Sequence, residues 1–548
     1  MSITRRHFLS ASVPLGVLVG RRAGAQPTEL PGGDVRFAHG VASGDPLKDA
    51  VVLWTRATPV DSSSSQVSGE WLVARDRDLS DVVVSGRFTT DAQSDWTVKI
   101  DASGLEADRW YWYAFRAAGS SSDVGRTRTL PDGGVDRLKI AVFSCSNLPF
   151  GYFNSYRSAA ERDDLDLAIH LGDYIYEYGR VGYGGTTGTR LGREVEPAHE
   201  ILTLDDYRRR YAQYRGDRDL QLIHARLPMI AVWDDHEIAN NTWHSGAQNH
   251  TEPAEGSFAD RREAAIRSFL EWMPVRSRPG SSRDRIYRSY QLGDLATLIM
   301  LDTRLIGRDR QLDYGELPRL DQAAAETLRR DGIEAPDRSM LGAEQEAWLK
   351  LELDRSRRRG TPWQILGQQL LVGELITPKL DDLLSDASDS PRAQRLRFMA
   401  DHSLPLNLDA WDGYGAARER LAQDALSFGD NVVVLAGDTH SSWAFDLVDK
   451  AGRQFGVELG TTSLTSPGLE GSFPPDALVD RLMDANPHLR FANAKDRGYL
   501  VLTLTPTEVI GEWLYVDTIE DRDFSEHLGA TARIPAKLGT GTAPVEIL

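Results

Sequence analysis

The 548-residue sequence contains a single cysteine, Cys145, so no disulfide can form within the chain. It holds no run of 18 uninterrupted apolar residues, which argues against a membrane-spanning helix. Positive charge is in deficit. Lys and Arg number 63 against 81 Asp and Glu, a formal charge of −18, and such a chain repels nucleic-acid phosphates at long range. An anion site here must therefore create its positive potential locally, most simply with metal ions. Also missing are a Gly-x-Ser-x-Gly elbow, a Walker loop, a Cys-x-x-Cys pair and any His followed two residues later by Lys. Serine esterases, P-loop enzymes, thiol oxidoreductases and the common phospholipase D fold thus lack their signatures.

What is present is ordinary for a globular protein: 41% apolar and 26% charged residues, in a length that allows two to four domains. Residues 1–25 stand apart. Arg5-Arg6 precede a weakly hydrophobic stretch from Ala11 to Gly20, and Ala23-Gly24-Ala25 offers small residues for cleavage. This predicts a twin-arginine signal peptide, recognition by the twin-arginine export machinery, and a periplasmic or secreted protein without a transmembrane segment.

Residues 34–130 read as a small all-β, sandwich-like domain, with strand-like runs at 51–54, 71–73, 82–84 and 110–116 separated by Gly, Ser and Asp turns. From 137 to 516 the character changes. Short buried-strand runs at 138–143, 166–171, 229–233, 296–301, 363–366 and 432–436 alternate with amphipathic stretches at 205–215, 259–272, 342–358 and 415–426. That alternation predicts a layered α/β domain. Residues 498–504 and 509–516 suggest a closing hairpin, and 517–548 read as a C-terminal tail without a strong pattern.

Residues of metal-binding type sit where four apolar runs stop. Cys145 and Asn147 follow the first, and Asp173 and Tyr176 the second. Asp234, Asp235, His236 and Asn241 follow the third, with Asp438 and His440 after the fourth. Layered α/β folds bring the carboxyl ends of neighbouring strands to one edge, where such residues would converge. A thiolate and a phenolate beside carboxylates suit a trivalent iron, and the remaining Asp and Asn oxygens suit Ca²⁺ or Mg²⁺. Asp173 is best placed to bridge two ions.

The blocks Phe37–Pro46, Val52–Arg56, Phe143–Asn147, His170–Tyr178, Val232–Asn241, Leu301–Arg304 and Ala436–Trp443 resemble, in order, those of the PhoD-like alkaline phosphatase/phosphodiesterase family, within the calcineurin-like metallophosphoesterase group. The resemblance implies a four-layer αββα sandwich behind the β-domain. It implies an alkaline phosphatase of phosphoric esters, acting on monoesters and also on diesters through a metal-bound hydroxide. Fe³⁺ and a divalent ion, Ca²⁺ before Mg²⁺, would be bound by Cys145, Asp173, Tyr176, Asp235, Asp438 and His440. His236 and Asp235 would be catalytic, with His236 near the leaving oxygen, and Asn147 would contact the phosphate ester. Arg304, after a buried run, reads either as a bidentate clamp on the phosphate or as an ion-paired structural residue. Because Asp438 stands where the wider group has His, the resemblance leaves open which ion Asp438 and His440 each take. Two alternatives remain: a lipid phosphodiesterase of phospholipase D activity on the same fold, and a degenerate extracytoplasmic polymer-binding protein. Asp386-Ala387-Ser388, similar to a nucleophilic serine motif, is discounted because no ligand-type residues surround it in sequence.

Overall fold

The computed structural model describes residues 34–276, 284–384, 390–537 and 541–548. The twin-arginine segment and Asp386-Ala387-Ser388 lie outside them. Two large sheets face each other. One has ten strands, in the order 546–547, 526–535, 508–516, 497–504, 138–143, 167–170, 229–231, 41–44, 50–56 and 97–103. The other has seven, in the order 288–292, 296–300, 363–367, 432–436, 454–460, 442–448 and 489–493. Within the first, the strands Leu138–Phe143, Leu167–His170 and Met229–Ala231 run parallel, as do Ala296–Met300, Trp363–Gly367, Val432–Ala436 and Gln454–Gly460 in the second.

Alternation along the strands shows how the layers stack. Leu298, Val433 and Leu435 join the core shared with Ile140, Val501 and Leu502, whereas Ile299, Leu301, Val432 and Val434 join a second core with Leu349, Leu353 and Leu421. A period of two sends successive side chains to opposite faces, so the second sheet is sandwiched between the first sheet and its own helices. The helices Leu204–Arg215 and Phe258–Trp272 cover the outer side of the first sheet, giving the αββα order. Both begin where side chains satisfy the free N–H groups. Thr203 and Asp206 form a reciprocal capping box, and Ser257 Oγ accepts from Asp260 N at 3.1 Å.

The N-terminal sandwich is built partly from the large sheet. Strands 41–44, 50–56 and 97–103 pack Val41, Val51, Leu53 and Val98 against Val73, Phe88, Tyr113 and Phe115 of a separate five-stranded sheet. The junction is the parallel pairing of Gly44 with Met229, where a Cβ on Gly44 would lie 2.5 Å from both Met229 O and Pro274 O. Only glycine allows that approach.

Two sequence expectations differ from what is seen. Residues 526–535, read as part of an unpatterned tail, form a strand antiparallel to Glu508–Val516. Only Ala532 and Ile534 of that strand are buried, so an outer strand of this kind carries little apolar signal. The run 229–233 is a strand only to Ala231, because Val232 and Trp233 lead out of the sheet toward the site. Val232 N still donates to His170 O at 3.1 Å, and Trp233 Nε1 donates to Asp302 Oδ2.

Candidate metal centre

Strands Leu138–Phe143, Leu167–His170 and Met229–Ala231 of the first sheet and Val432–Ala436 of the second lead into loops that carry unusual backbone. Cys145, Asp173, Asn241, Asp438 and His440 all have positive φ, between +51° and +61°. Such conformations are costly outside glycine and persist where the surroundings hold them. Five of them on four loops mark the place where the fold accepts strain to aim side chains.

Three overlapping triplets result. Ligand atoms of Cys145, Asp173 and His440 lie within 4.8 Å of one another, as do those of Asp173, Asp235 and His236, and those of Asp234, Asp235 and Asp438. Asp173 links the first two and Asp235 the last two. His440 therefore falls on the Cys145 side and Asp438 on the Asp234 side, a division that spacing along the chain left open.

The hydrogen bonds prepare these groups as ligands. Tyr176 OH donates to Asp173 Oδ2 at 2.9 Å, accepts from Ser466 Oγ at 2.6 Å and sits 3.3 Å from His440 Nε2. His440 Nδ1 donates to Pro467 O at 2.7 Å, which places the proton there and the lone pair on Nε2. Burial lowers His440 to about 3, so the ring stays neutral. His236 Nδ1 donates to Glu177 Oε2 at 2.7 Å, leaving Nε2 as its other polar atom. Burial opposes a charge on His236, but Asp235, Glu177 and Asp173 outweigh it and raise its pKa well above the ordinary value.

Electrostatics point to cations. Burial raises Asp173 and Asp234 well above the carboxylate range and Asp438 to about 7, and neighbouring carboxylates add to each rise. Cys145 and Tyr176 are likewise raised by burial and then by Asp173. Asp173 Oδ1, Asp234 Oδ2, Asp235 Oδ1 and both amide atoms of Asn147 are buried without any hydrogen-bond partner. Buried polar atoms rarely go unpaired, and a cluster of anionic donors with free lone pairs fits bound cations.

From the sequence Arg304 has two readings, a phosphate clamp and an ion-paired structural residue. Arg304 is fully buried, and each nitrogen of its guanidinium meets an acid: Nε donates to Asp234, Nη1 to Asp409 at 2.8 Å and Nη2 to Asp438 at 2.8 Å, with Asp235 Oδ1 3.6 Å away. This geometry is that of a counter-ion to Asp234, Asp409 and Asp438.

Two glutamates that the sequence reading assigned no role prove central. Glu177 fixes His236, and burial, which would raise Glu177, is outweighed by His236 and by Asn240 N, so it stays ionised. Glu237 accepts from Asp173 N, Tyr174 N and Asp234 N at 3.0, 2.7 and 2.8 Å, tying two loops together. Their sequence signal was faint. Each stands next to a predicted site residue, but nothing local shows that its carboxylate turns back toward a second loop.

The sequence profile of the PhoD-like phosphatase family matches residues 140–513, and that of the PhoD-like phosphatase N-terminal domain matches residues 23–131. The chain is 35% identical over 525 residues to alkaline phosphatase D of Bacillus subtilis (strain 168), covering 92% of this chain and 82% of that protein. A solved structure described as PhoD superimposes with a TM-score of 0.77 at 32% identity, over 93% of this chain and 92% of the other.

Proposed function

Because this chain belongs to the PhoD-like phosphatase family and is a phosphoric ester hydrolase, we propose that it cleaves phosphomonoesters and phosphodiesters at a two-metal centre. The supporting observation is the run of three triplets joined through Asp173 and Asp235. Cys145, Asp173, Tyr176 and His440 would hold Fe³⁺, since a thiolate and a phenolate are strong donors to a trivalent ion. Asp173, Asp235 and Asp438 would hold a divalent ion, Ca²⁺ or Mg²⁺, through hard oxygens. When bound, these ions supply the positive potential for phosphate and lower the pKa of the attacking water.

The remaining work falls to the protein. His236, oriented by the hydrogen bond from its Nδ1 to Glu177, would supply a proton from Nε2 to the departing alkoxide. Asn147 offers an unpartnered Nδ2 as a donor to a phosphate oxygen. Arg304 and Glu237 hold the carboxylate loops in place while charge builds up. The twin arginines at Arg5-Arg6 support export, and among the described residues no helix is long and apolar enough to cross a membrane.

Release of p-nitrophenol from p-nitrophenyl phosphate and from bis(p-nitrophenyl) phosphate tests this reading. Enzyme loaded with iron and calcium is expected to hydrolyse both. Full metal content without turnover of either would overturn it.

A further inference from the structure

Two tyrosines flank His236. Its ring stacks on that of Tyr176, with centroids 4.3 Å apart and planes at 30°, and meets that of Tyr178 at 5.4 Å and 55°. The backbone that carries both tyrosines is fixed. Arg210, fully buried, donates to Tyr176 O and, at 3.0 Å, to Tyr178 O, while Glu177 between them holds His236 Nδ1. Tyr178 is also supported from its other side. Its ring meets that of Tyr183 edge-on at 5.6 Å, and a Cβ on Gly182 would lie 3.2 Å from Tyr178 Cβ.

The tyrosine hydroxyls around the cluster differ in what they meet. Tyr174 OH shares a hydrogen bond with His224 Nε2 at 2.9 Å, Tyr176 OH is engaged by Asp173 and Ser466, and Tyr183 OH donates to Pro467 O at 3.2 Å. Tyr178 OH has no protein partner among the described residues, and it is not sealed in either: the residue is half-buried and its oxygen reaches solvent. The acids whose charge bears on that oxygen are Glu177, Asp235 and Asp173, which places it toward the cluster. A phenol at neutral pH is a donor, so the wall of the site beside His236 carries one uncommitted O–H.

We propose that Tyr178 is a further catalytic residue, its hydroxyl donating to the ester oxygen that joins phosphorus to the alcohol half, alongside His236. The inference deepens the phosphoesterase reading and rests on it. As the P–O bond breaks, its electron pair goes to that oxygen and His236 Nε2 supplies the proton that completes the alcohol. Tyr178 keeps its own proton, and its hydrogen bond strengthens as charge grows on the departing oxygen. Phenyl phosphate and p-nitrophenyl phosphate test this, because they share a ring and differ in how readily the departing oxygen carries charge unaided. Tyr178→Phe should lower kcat/KM about tenfold on phenyl phosphate and no more than about twofold on p-nitrophenyl phosphate. Because the hydroxyl has no protein partner, its removal should leave the melting temperature and the metal content unchanged. Equal losses on the two esters, or no loss on phenyl phosphate, would overturn the role. So would a melting temperature or metal content that falls together with the rates, since that marks a structural residue. Wild-type enzyme that holds its metals and turns over neither ester would overturn the phosphoesterase reading, and this role with it, whereas the other outcomes leave that reading standing.

Discussion

Glu237 Oε2 accepts the backbone N–H of Asp173 at 3.0 Å, so the residue placed to bridge two ions is positioned by a carboxylate 64 residues further along the chain. The same side chain holds Tyr174 N and Asp234 N. One buried acid thus sets the separation of the second and third strand-end loops.

Glu237→Gln should therefore do more damage than an isosteric change suggests. The amide group turns an acceptor into a donor facing backbone N–H groups, leaving at least one of them unpaired in the interior. A loss of roughly 2–4 kcal/mol is expected from broken and unsatisfied buried hydrogen bonds. Denaturant unfolding checks this, together with metal content, which should fall for both ions. Loss of one ion alone would speak against a shared support.

Arg304 separates two roles by their different signatures. As a counter-ion to Asp234, Asp409 and Asp438, its replacement in Arg304→Met should destabilise the protein by about 3–5 kcal/mol, because it leaves buried carboxylates uncompensated. A phosphate clamp would instead raise KM and leave the melting temperature nearly unchanged. Thermal unfolding alongside steady-state kinetics distinguishes them.

The iron assignment predicts colour. A phenolate from Tyr176 and a thiolate from Cys145 on Fe³⁺ should produce charge-transfer absorption in the visible range. Tyr176→Phe removes the oxygen that now meets Asp173, Ser466 and His440, and should abolish the phenolate band. Cys145→Ser should shift the spectrum and weaken iron retention. A colourless, fully active wild-type enzyme would rule out the phenolate role.

Removing the metals should change the pH dependence of stability. Burial raises Glu237 to about 7 from 4.5, and Asp438 to about 7 from 3.8. Both carboxyls bind protons more tightly when folded than when unfolded. Their contribution to stability is fully present below about pH 4 and is lost as pH rises through 7. Metal-free protein should accordingly lose melting temperature from pH 5 to pH 8. Bound cations favour the ionised form of Asp438, which is a ligand, so metal-loaded protein should show a smaller decline that keeps only the share of Glu237. Scanning calorimetry with and without chelator measures the difference, and parallel declines in the two forms would refute it.

Much of the centre was legible in the sequence because its signal is local. An apolar run followed by a sharp turn and an acid, cysteine or histidine identifies a strand end, and this sufficed for Cys145, Asp173, Asp235 and Asp438. The alternation of strands and helices likewise pointed to the layered domain. Other features depended on partners far away in the chain. Arg304 reads in sequence as a cation beside a buried run, and only the packing of two sheets surrounds it with acids from positions 234, 409 and 438. The attachment of strand 41–44 to 229–231, and the strand at 526–535, likewise come from pairings that no local periodicity encodes. Sequence by itself determined which residue types lie at which strand ends, since burial and turn chemistry act over a few residues. Tertiary structure alone decided which buried charges meet, because a carboxylate's state depends on the cations and hydrogen-bond donors within a few ångströms of it, whatever their distance along the chain.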